Sequence, residues 1–99
     1  YLYEAGDGRV VGYGYAMTAG RVGPVSVEDE TLLPGVLGHL LGAVPPAGAF
    51  SAWVPGAAGR AVTALLESGL RIEDFPALLC WDRPFADLSR YVPISLAVL

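Results

Sequence analysis

The apolar and polar residues at the start of the chain alternate in two runs, which is the pattern of a β-hairpin. Residues 1–5 and 9–18 alternate on either side of Asp7-Gly8, and an Asp-Gly pair between strand-like runs favours a tight reversal. Gly12 and Gly14 leave one face of the second run bare, so we expect a helix or the next strand to pack closely there. The other face carries bulky side chains, namely Val11, Tyr13, Tyr15 and Met17.

The middle of the chain predicts two strand–helix pairs in succession. Residues 22–27 and 49–54 are short apolar runs typical of strands, and a helical pattern follows each of them. Pro24 cannot donate a hydrogen bond to a neighbouring strand, which indicates a sheet edge or a bulge. A parallel strand pair with crossover helices requires this order with short links. The pattern therefore predicts an α/β (or α+β) fold in which a βαβα unit follows the hairpin.

Both helices have recognisable ends. Pro34 is tolerated only in a first turn, so the first helix begins between residues 30 and 33, and Pro45-Pro46 ends it. Its apolar residues recur at helical spacing: Leu33, Val36, Leu37, Leu40, Leu41 and Val44. The second helix is predicted over residues 57–68, with Gly69 as a left-handed C-cap. We expect it to bury Ala61, Val62, Leu65 and Leu66.

The last third of the chain is less regular. Residues 71–81, interrupted by Pro76, predict one or two further strands in which Cys80 and Trp81 point to opposite faces and pack in the core. A nucleophilic Cys80 would require a nearby histidine, which a sequence alone does not locate. Residues 83–99 carry enough apolar side chains to pack on the domain. His39 lies off the leucine face of the first helix, which is typical of a surface spectator.

The composition is apolar for so short a chain and predicts an interface. The 99 residues make one small domain, in which 54% of residues are hydrophobic and only 16% are charged, against about a quarter charged in typical domains. A domain of this size cannot hide so much apolar surface in its own core. We therefore expect association with a second copy or with a preceding segment of a longer chain.

The charge distribution argues against several classes of partner. The net charge is −4, and the six basic residues are arginines scattered without a basic patch, which argues against nucleic acid and an anionic membrane. Residues 31–59 carry no Asp, Glu, Lys or Arg, but prolines break this stretch into pieces too short to span a bilayer. One histidine and one cysteine make neither a metal-ligand cluster nor an internal disulfide, so a reducing cytoplasm is the expected location.

Several local patterns, in this order and spacing, resemble the GNAT superfamily of N-acetyltransferases from the second strand of that fold to its end. Residues 4–12 resemble its hairpin, and residues 22–27 resemble the strand that lines its acetyl-CoA cleft. Residues 61–70 resemble its helix of small residues and leucines that ends in Gly-Phe, here Gly69-Leu70. Residues 77–83 and then Tyr91 are similar to the ends of tandem-GNAT proteins, whose second domain is often degenerate.

The resemblance covers nearly all of residues 1–99 and implies one GNAT-like domain that lacks the first strand and the two helices after it. It implies a mixed sheet in which the hairpin is followed by the βαβα unit and by C-terminal strands. It also implies acetyl-CoA as the family's cofactor, no metal, and a preceding GNAT domain of the same chain or a second copy as partner.

The residues that bind the cofactor and protonate the leaving group in that family are replaced in this chain. GNAT enzymes seat the coenzyme A pyrophosphate on backbone N–H groups of an Arg/Gln-x-x-Gly-x-Gly/Ala loop at a helix N-terminus. Residues 28–35 here read Glu-Asp-Glu-Thr-Leu-Leu-Pro-Gly, and two like charges about 4 Å apart cost on the order of 4 kcal/mol near a protein surface. The family's asparagine and its thiolate-protonating tyrosine correspond roughly to Ala58 and Leu65, whose side chains donate no hydrogen bond.

We therefore expect a GNAT-family domain that is degenerate in cofactor binding and acts as a structural or substrate-side module, with no catalytic residue assigned. The alternative is an active acetyl-CoA-dependent N-acetyltransferase for a small amine. In it, the backbone of Val25, Ser26 and Val27 would bind the pantetheine arm in the gap beside residues 49–54. A further alternative is a small homodimeric ligand-binding module that uses the glycine-bared face of residues 10–17.

Overall fold

The hairpin predicted at the start of the chain forms the first two strands of the sheet. The computed structural model describes residues 1–73 and 77–95, and in it β1 (Leu2–Glu4) pairs antiparallel with β2 (Val10–Ala16). The N–H of Gly8 donates to the carbonyl of Ala5 at 2.9 Å, and Gly8 has a φ of 83°. The Asp-Gly reversal is therefore confirmed.

The third strand is the centre of the sheet. β3 (Val22–Val27) pairs antiparallel with β2 along one edge and with β4 (Tyr91–Val92) along the other, so the strand order is β1-β2-β3-β4. One residue of β2 lies opposite two residues of β3 between the pairs Gly14↔Val25 and Ala16↔Val22. Pro24 therefore lies in a bulge of an inner strand rather than at a sheet edge, because the bulge needs no donor from it.

The predicted second strand of the parallel pair does not form. Residues 49–54 make one isolated parallel bridge, in which Ser51 lies beside Arg21. The N–H of Val22 donates to the carbonyl of Ser51 at 2.9 Å, and the N–H of Ser51 donates to Gly20 at 2.8 Å. β4 pairs with β3 beyond this bridge, so a longer parallel strand has no free edge to join. The class is α+β with an antiparallel four-stranded sheet, and the βαβα prediction is wrong in its second strand.

The two helices lie close to the predicted positions. A 3₁₀ turn (Glu30–Leu32) leads into α1 (Leu33–Ala43), with Pro34 in its first turn, and α2 spans Gly59–Glu67. Gly69 ends α2 with a φ of 96°, while its N–H donates to the carbonyl of Leu66 and the N–H of Leu70 donates to Leu65. Neither helix has the length and apolar character needed to cross a bilayer in the described ranges.

The core lies between the helices and one face of the sheet, and it is entirely apolar among the residues described. It is formed by Val22, Val25, Val27, Leu33, Val36, Leu37, Leu40, Ala58, Ala61, Leu65 and Val92. A Cβ on Gly14 would lie 2.7 Å from Cδ1 of Leu40, so α1 packs on the glycine-bared face of β2 as predicted. Leu66 of α2, expected in the core, is 45% exposed because it lies on the solvent side of that helix.

The strands predicted over residues 71–81 do not form in the described ranges. Residues 71–73 and 77–81 form no strand, and residues 74–76 lie outside the described ranges. Cys80 is exposed and Trp81 is 44% exposed, so their predicted place in the core is wrong. The strand of this region that does join the sheet is β4, whose Val92 is fully buried. That burial confirms that part of residues 83–95 packs on the domain.

Replacement of Gly20 by alanine is expected to lower the free energy of unfolding by at least about 2 kcal/mol. Gly20 has a φ of 96°, and a Cβ there would lie 2.2 Å from the backbone oxygen of Ala49. The control Gly38→Ala lies inside α1, where a Cβ meets no atom within 4 Å, and should raise that free energy by about 0.5–1 kcal/mol. Urea unfolding followed by circular dichroism measures both. Equal effects would contradict the close approach at Gly20.

Candidate functional site

The acidic turn after β3 is built around a helix cap. Oδ1 of Asp29 accepts hydrogen bonds from the backbone N–H of Thr31 at 2.9 Å and from its hydroxyl at 2.8 Å. These two bonds hold the pKa of Asp29 below its ordinary value. The carboxylate thus occupies the donors at the start of the 3₁₀ turn, which is the position where a helix start would otherwise bind an anion.

Arginines from distant parts of the chain neutralise the other two acids of this turn. Arg9 forms an ion pair with Glu28, and Nε of Arg60 lies 3.6 Å from Oε1 of Glu30. Arg90 donates from Nη1 to the backbone carbonyl of Glu28 at 2.6 Å. The like-charge repulsion expected from the sequence is therefore weaker than three bare carboxylates would give. These arginines are scattered in the sequence, and only the fold brings them to one place.

A shallow cleft of about 700 Å³ adjoins the turn. Its wall includes Tyr13 of β2 and Tyr91 of β4, and partial burial raises the pKa of Tyr91, with a smaller effect from Tyr13. Asp87 lines the cleft, accepts hydrogen bonds from Ser89, and lies 3.1 Å from Nε of Arg90. The Ser89 bonds lower the pKa of Asp87. The charged side chains of the cleft wall are thus already paired within the chain.

Two of the three residues whose backbone is predicted to bind a cofactor have partners along both edges of β3. Val25, Ser26 and Val27 lie opposite Gly14, Tyr13 and Gly12 of β2, respectively. On the other edge, Val92 lies opposite Val25 and Tyr91 lies opposite Ser26. A ligand could pair with Val25 and Ser26 on that second edge only after β4 had left it, whereas no residue of β4 lies opposite Val27. The assignment of these three residues to a cofactor stays a prediction.

Two further segments cover the same edge of β3 nearer its start. Ser51 bridges Arg21, as described above, and a Cβ on Gly23 would lie 2.5 Å from the backbone oxygen of Pro93. Arg21 donates from Nη1 to the carbonyl of Ile94 at 2.8 Å. The gap expected between residues 22–27 and 49–54 is therefore filled by the C-terminal part of the chain.

The positions that correspond to catalytic residues in the resembling family lie in the core. Ala58 is fully buried and Leu65 is 5% exposed, so both serve packing. His39 is exposed on α1, where its Nδ1 lies 2.8 Å from the hydroxyl of Tyr3. Partial burial raises the pKa of Tyr3. In residues 1–73 and 77–95, no group of three or more His, Cys, Asp or Glu side chains could hold a metal ion.

The largest feature that sequence reasoning missed is the open face of the sheet opposite the core. Leu2 is 70% exposed and Tyr15 is 55% exposed, and Tyr13 and Met17 project from the same face. They surround a hollow of about 670 Å³ whose wall is completed by Tyr1, Gly23, Pro24 and Ile94. No Asp, Glu, Lys or Arg side chain lines this hollow. The alternation of bulky residues in β2 indicated this face, but the ligand site was predicted on the opposite face, which carries Gly12 and Gly14.

Comparisons of this chain with models of protein families, with curated proteins and with solved structures found no match. The chemistry that each candidate site can support therefore follows from its own geometry.

Asp29→Ala is expected to lower the melting temperature at neutral pH, because the N–H of Thr31 loses its acceptor, whereas Asp29→Asn keeps a capping oxygen. The pKa of Asp29 is lowered in the folded protein. Its carboxylate therefore contributes stability that is present above the unfolded pKa of about 3.9 and is lost as pH falls through the folded value.

Thermal unfolding of both variants, followed from about pH 7 down to about pH 2, measures these effects. The asparagine variant should lose part of the acid dependence that the wild-type protein shows. The capping role would be refuted by an asparagine variant that is as unstable at neutral pH as the alanine variant.

Proposed function

We propose that this chain is a GNAT-like domain that is degenerate in cofactor binding and serves as a structural or substrate-side module beside a catalytic domain or a second copy. The observation that carries the proposal is the pairing of β4 with the edge of β3 that the resemblance assigns to the cofactor arm. The other support comes from the start of the first helix and from the open sheet face.

The paired edge opposes binding of a pantetheine arm. The amides of such an arm need free backbone groups along a strand, and Val25 and Ser26 lie opposite Val92 and Tyr91 instead. Val92 is fully buried, and burial of a valine side chain contributes about 1.5–3 kcal/mol relative to exposure. A ligand that displaced β4 would lose that contribution before it gained any contact of its own.

The start of the first helix opposes binding of a diphosphate. The N–H of Thr31 donates to Asp29 and the N–H of Leu32 donates to the carbonyl of the same residue at 3.0 Å. A phosphate would have to displace the capping carboxylate and then lie between Glu28 and Glu30. The neighbouring arginines already contact these acids or their backbone, so they do not supply a free cation there.

The open sheet face supports a role in packing against another protein. A face that carries two tyrosines, a leucine and a methionine around a hollow without charged side chains suits packing against another protein layer. The active-enzyme alternative requires β4 to leave β3. The ligand module on the glycine-bared face requires space that Leu40 of α1 fills beside Gly14. The structural or substrate-side role requires neither change.

A titration with acetyl-CoA tests the proposal directly. We expect no stabilisation of the isolated chain by about 1 mM acetyl-CoA in a thermal unfolding assay. A ligand with a dissociation constant of about 10 µM would instead add about 2.7 kcal/mol at that concentration. In a chain of this length such a gain raises the melting temperature by at least about 10 °C, so the two outcomes are well separated.

A parallel titration with pantetheine, which lacks the phosphates, separates the effect of the strand edge from that of the helix start. Neither compound is expected to bind, because the strand edge and the helix start are both occupied. If pantetheine binds and acetyl-CoA does not, β4 does not block the strand edge, whereas the acidic turn still opposes the diphosphate. Micromolar binding of acetyl-CoA, measured by calorimetry, would overturn the proposal and favour the active enzyme.

A further inference from the structure

We propose that the open sheet face binds a second copy of this chain, sheet against sheet, around a twofold axis. This inference rests on the proposed packing role and names the partner. The face is defined by the exposed side chains of Leu2, Tyr13, Tyr15 and Met17 together with the hollow beside Pro24.

The accessible surface of the chain is larger than its mass requires. The chain exposes 6412 Å², whereas a compact monomer of 10.3 kDa exposes about 5,400 Å² by the usual scaling with mass. The excess of about 1,000 Å² is close to the roughly 800 Å² that each partner buries in a standard interface. The molecule is also flat, with extents of 38 × 35 × 23 Å, because helices cover only one face of the sheet. The exposed residues 77–86 account for part of this surplus, and a second copy on the open face would bury the apolar surface of Leu2 and Tyr15.

The chemistry of the face also favours a copy of the same chain. In a twofold interface each surface patch meets its own copy, so a patch with net charge would repel itself. No Asp, Glu, Lys or Arg lines the hollow, although the chain as a whole carries a net charge of −4. Tyrosine and methionine are enriched in interfaces. An uncharged, aromatic hollow on an acidic chain therefore fits a copy of itself better than it fits a partner selected by charge.

The hollow of the open face extends across β2. The rings of Tyr13 and Tyr15 stand edge to face with centroids 6.2 Å apart, and Leu2 projects on the β1 side. The hollow extends from Tyr1 and Leu2 on the β1 side to Gly23 and Pro24 on the β3 side. A twofold axis along β2 would bring Leu2 of one copy over β3 of the second copy. Stacked sheets lie about 10 Å apart, which accommodates these side chains.

The exposed segment 77–86 is the other apolar surface of the described chain and supplies the control. Leu78 is 89% exposed and Phe85 is 58% exposed, but residues 77–86 form no helix or strand. This segment joins no strand of the sheet, and Leu78 lines neither the hollow nor the cleft beside the acidic turn. A substitution at Leu78 therefore adds the same charge to an apolar surface that the proposed dimer does not use.

The experiment measures the mass of the wild-type chain and of three variants in solution. Sedimentation equilibrium from about 1 to about 100 µM protein should give the wild-type chain twice the monomer mass of 10.3 kDa. Leu2→Glu, on an exposed edge strand, and Tyr15→Glu should each raise the dimer dissociation constant by at least about tenfold. Leu78→Glu should leave the dissociation constant unchanged. Circular dichroism and urea unfolding check that each variant is folded.

A wild-type chain that is monomeric at the highest concentration would overturn the proposal. So would dissociation caused by Leu78→Glu, or a dimer that survives both substitutions on the open face. Failure here is distinguishable from failure of the proposed function. A chain that is monomeric and does not bind acetyl-CoA would refute the dimer alone. A chain that is dimeric and binds acetyl-CoA would refute only the proposal that the domain is degenerate in cofactor binding.

Discussion

The burial of β3 beneath α1 is the interaction on which the rest of this molecule depends. Val22, Val25 and Val27 face the first helix, and the first two are inaccessible to solvent while the third is 3% exposed. Each fully buried valine contributes about 1.5–3 kcal/mol. Val25 and Val27 alternate with Ser26, and the bulge at residues 23 and 24 keeps Val22 on the same face, so their burial also decides which face of the sheet remains open. Tyr13 and Tyr15 in β2, and Met17 directly after it, face away from the helices for the same reason.

The edge of β3 that faces β4 determines both the sheet topology and the proposed function. A parallel neighbour from residues 49–54 and an antiparallel neighbour from the C-terminal region both had the sequence to join it. The antiparallel strand joined it at Val25 and Ser26, and the parallel run was limited to Ser51. Pro93 then lies over Gly23, where a side chain would leave no room. An edge divided between two segments of the same chain is a poor binding surface for a third.

The parts of the fold that could be predicted from the sequence are those determined by neighbouring residues. The Asp7-Gly8 reversal, the proline-limited ends of α1 and the Gly69 cap depend on local backbone preferences, and each formed close to its predicted position. The division of the β3 edge could not be predicted in this way, because it depends on competition between segments far apart in the chain. The sequence pattern alone predicted Cys80 and Trp81 in the core, but both are exposed in a segment that joins no strand.

The ion pairs of the acidic turn could not be predicted from neighbouring residues either. Taken alone, Glu28, Asp29 and Glu30 predict a site that repels any anion. In the fold, two of them are paired with Arg9 and Arg60, and the third caps the helix start. The repulsion is therefore reduced, yet the site still does not suit a phosphate, because its donors and its cations are already used. Occupancy by the chain's own groups, rather than net charge, is the physical reason for the cofactor-silent role that we propose.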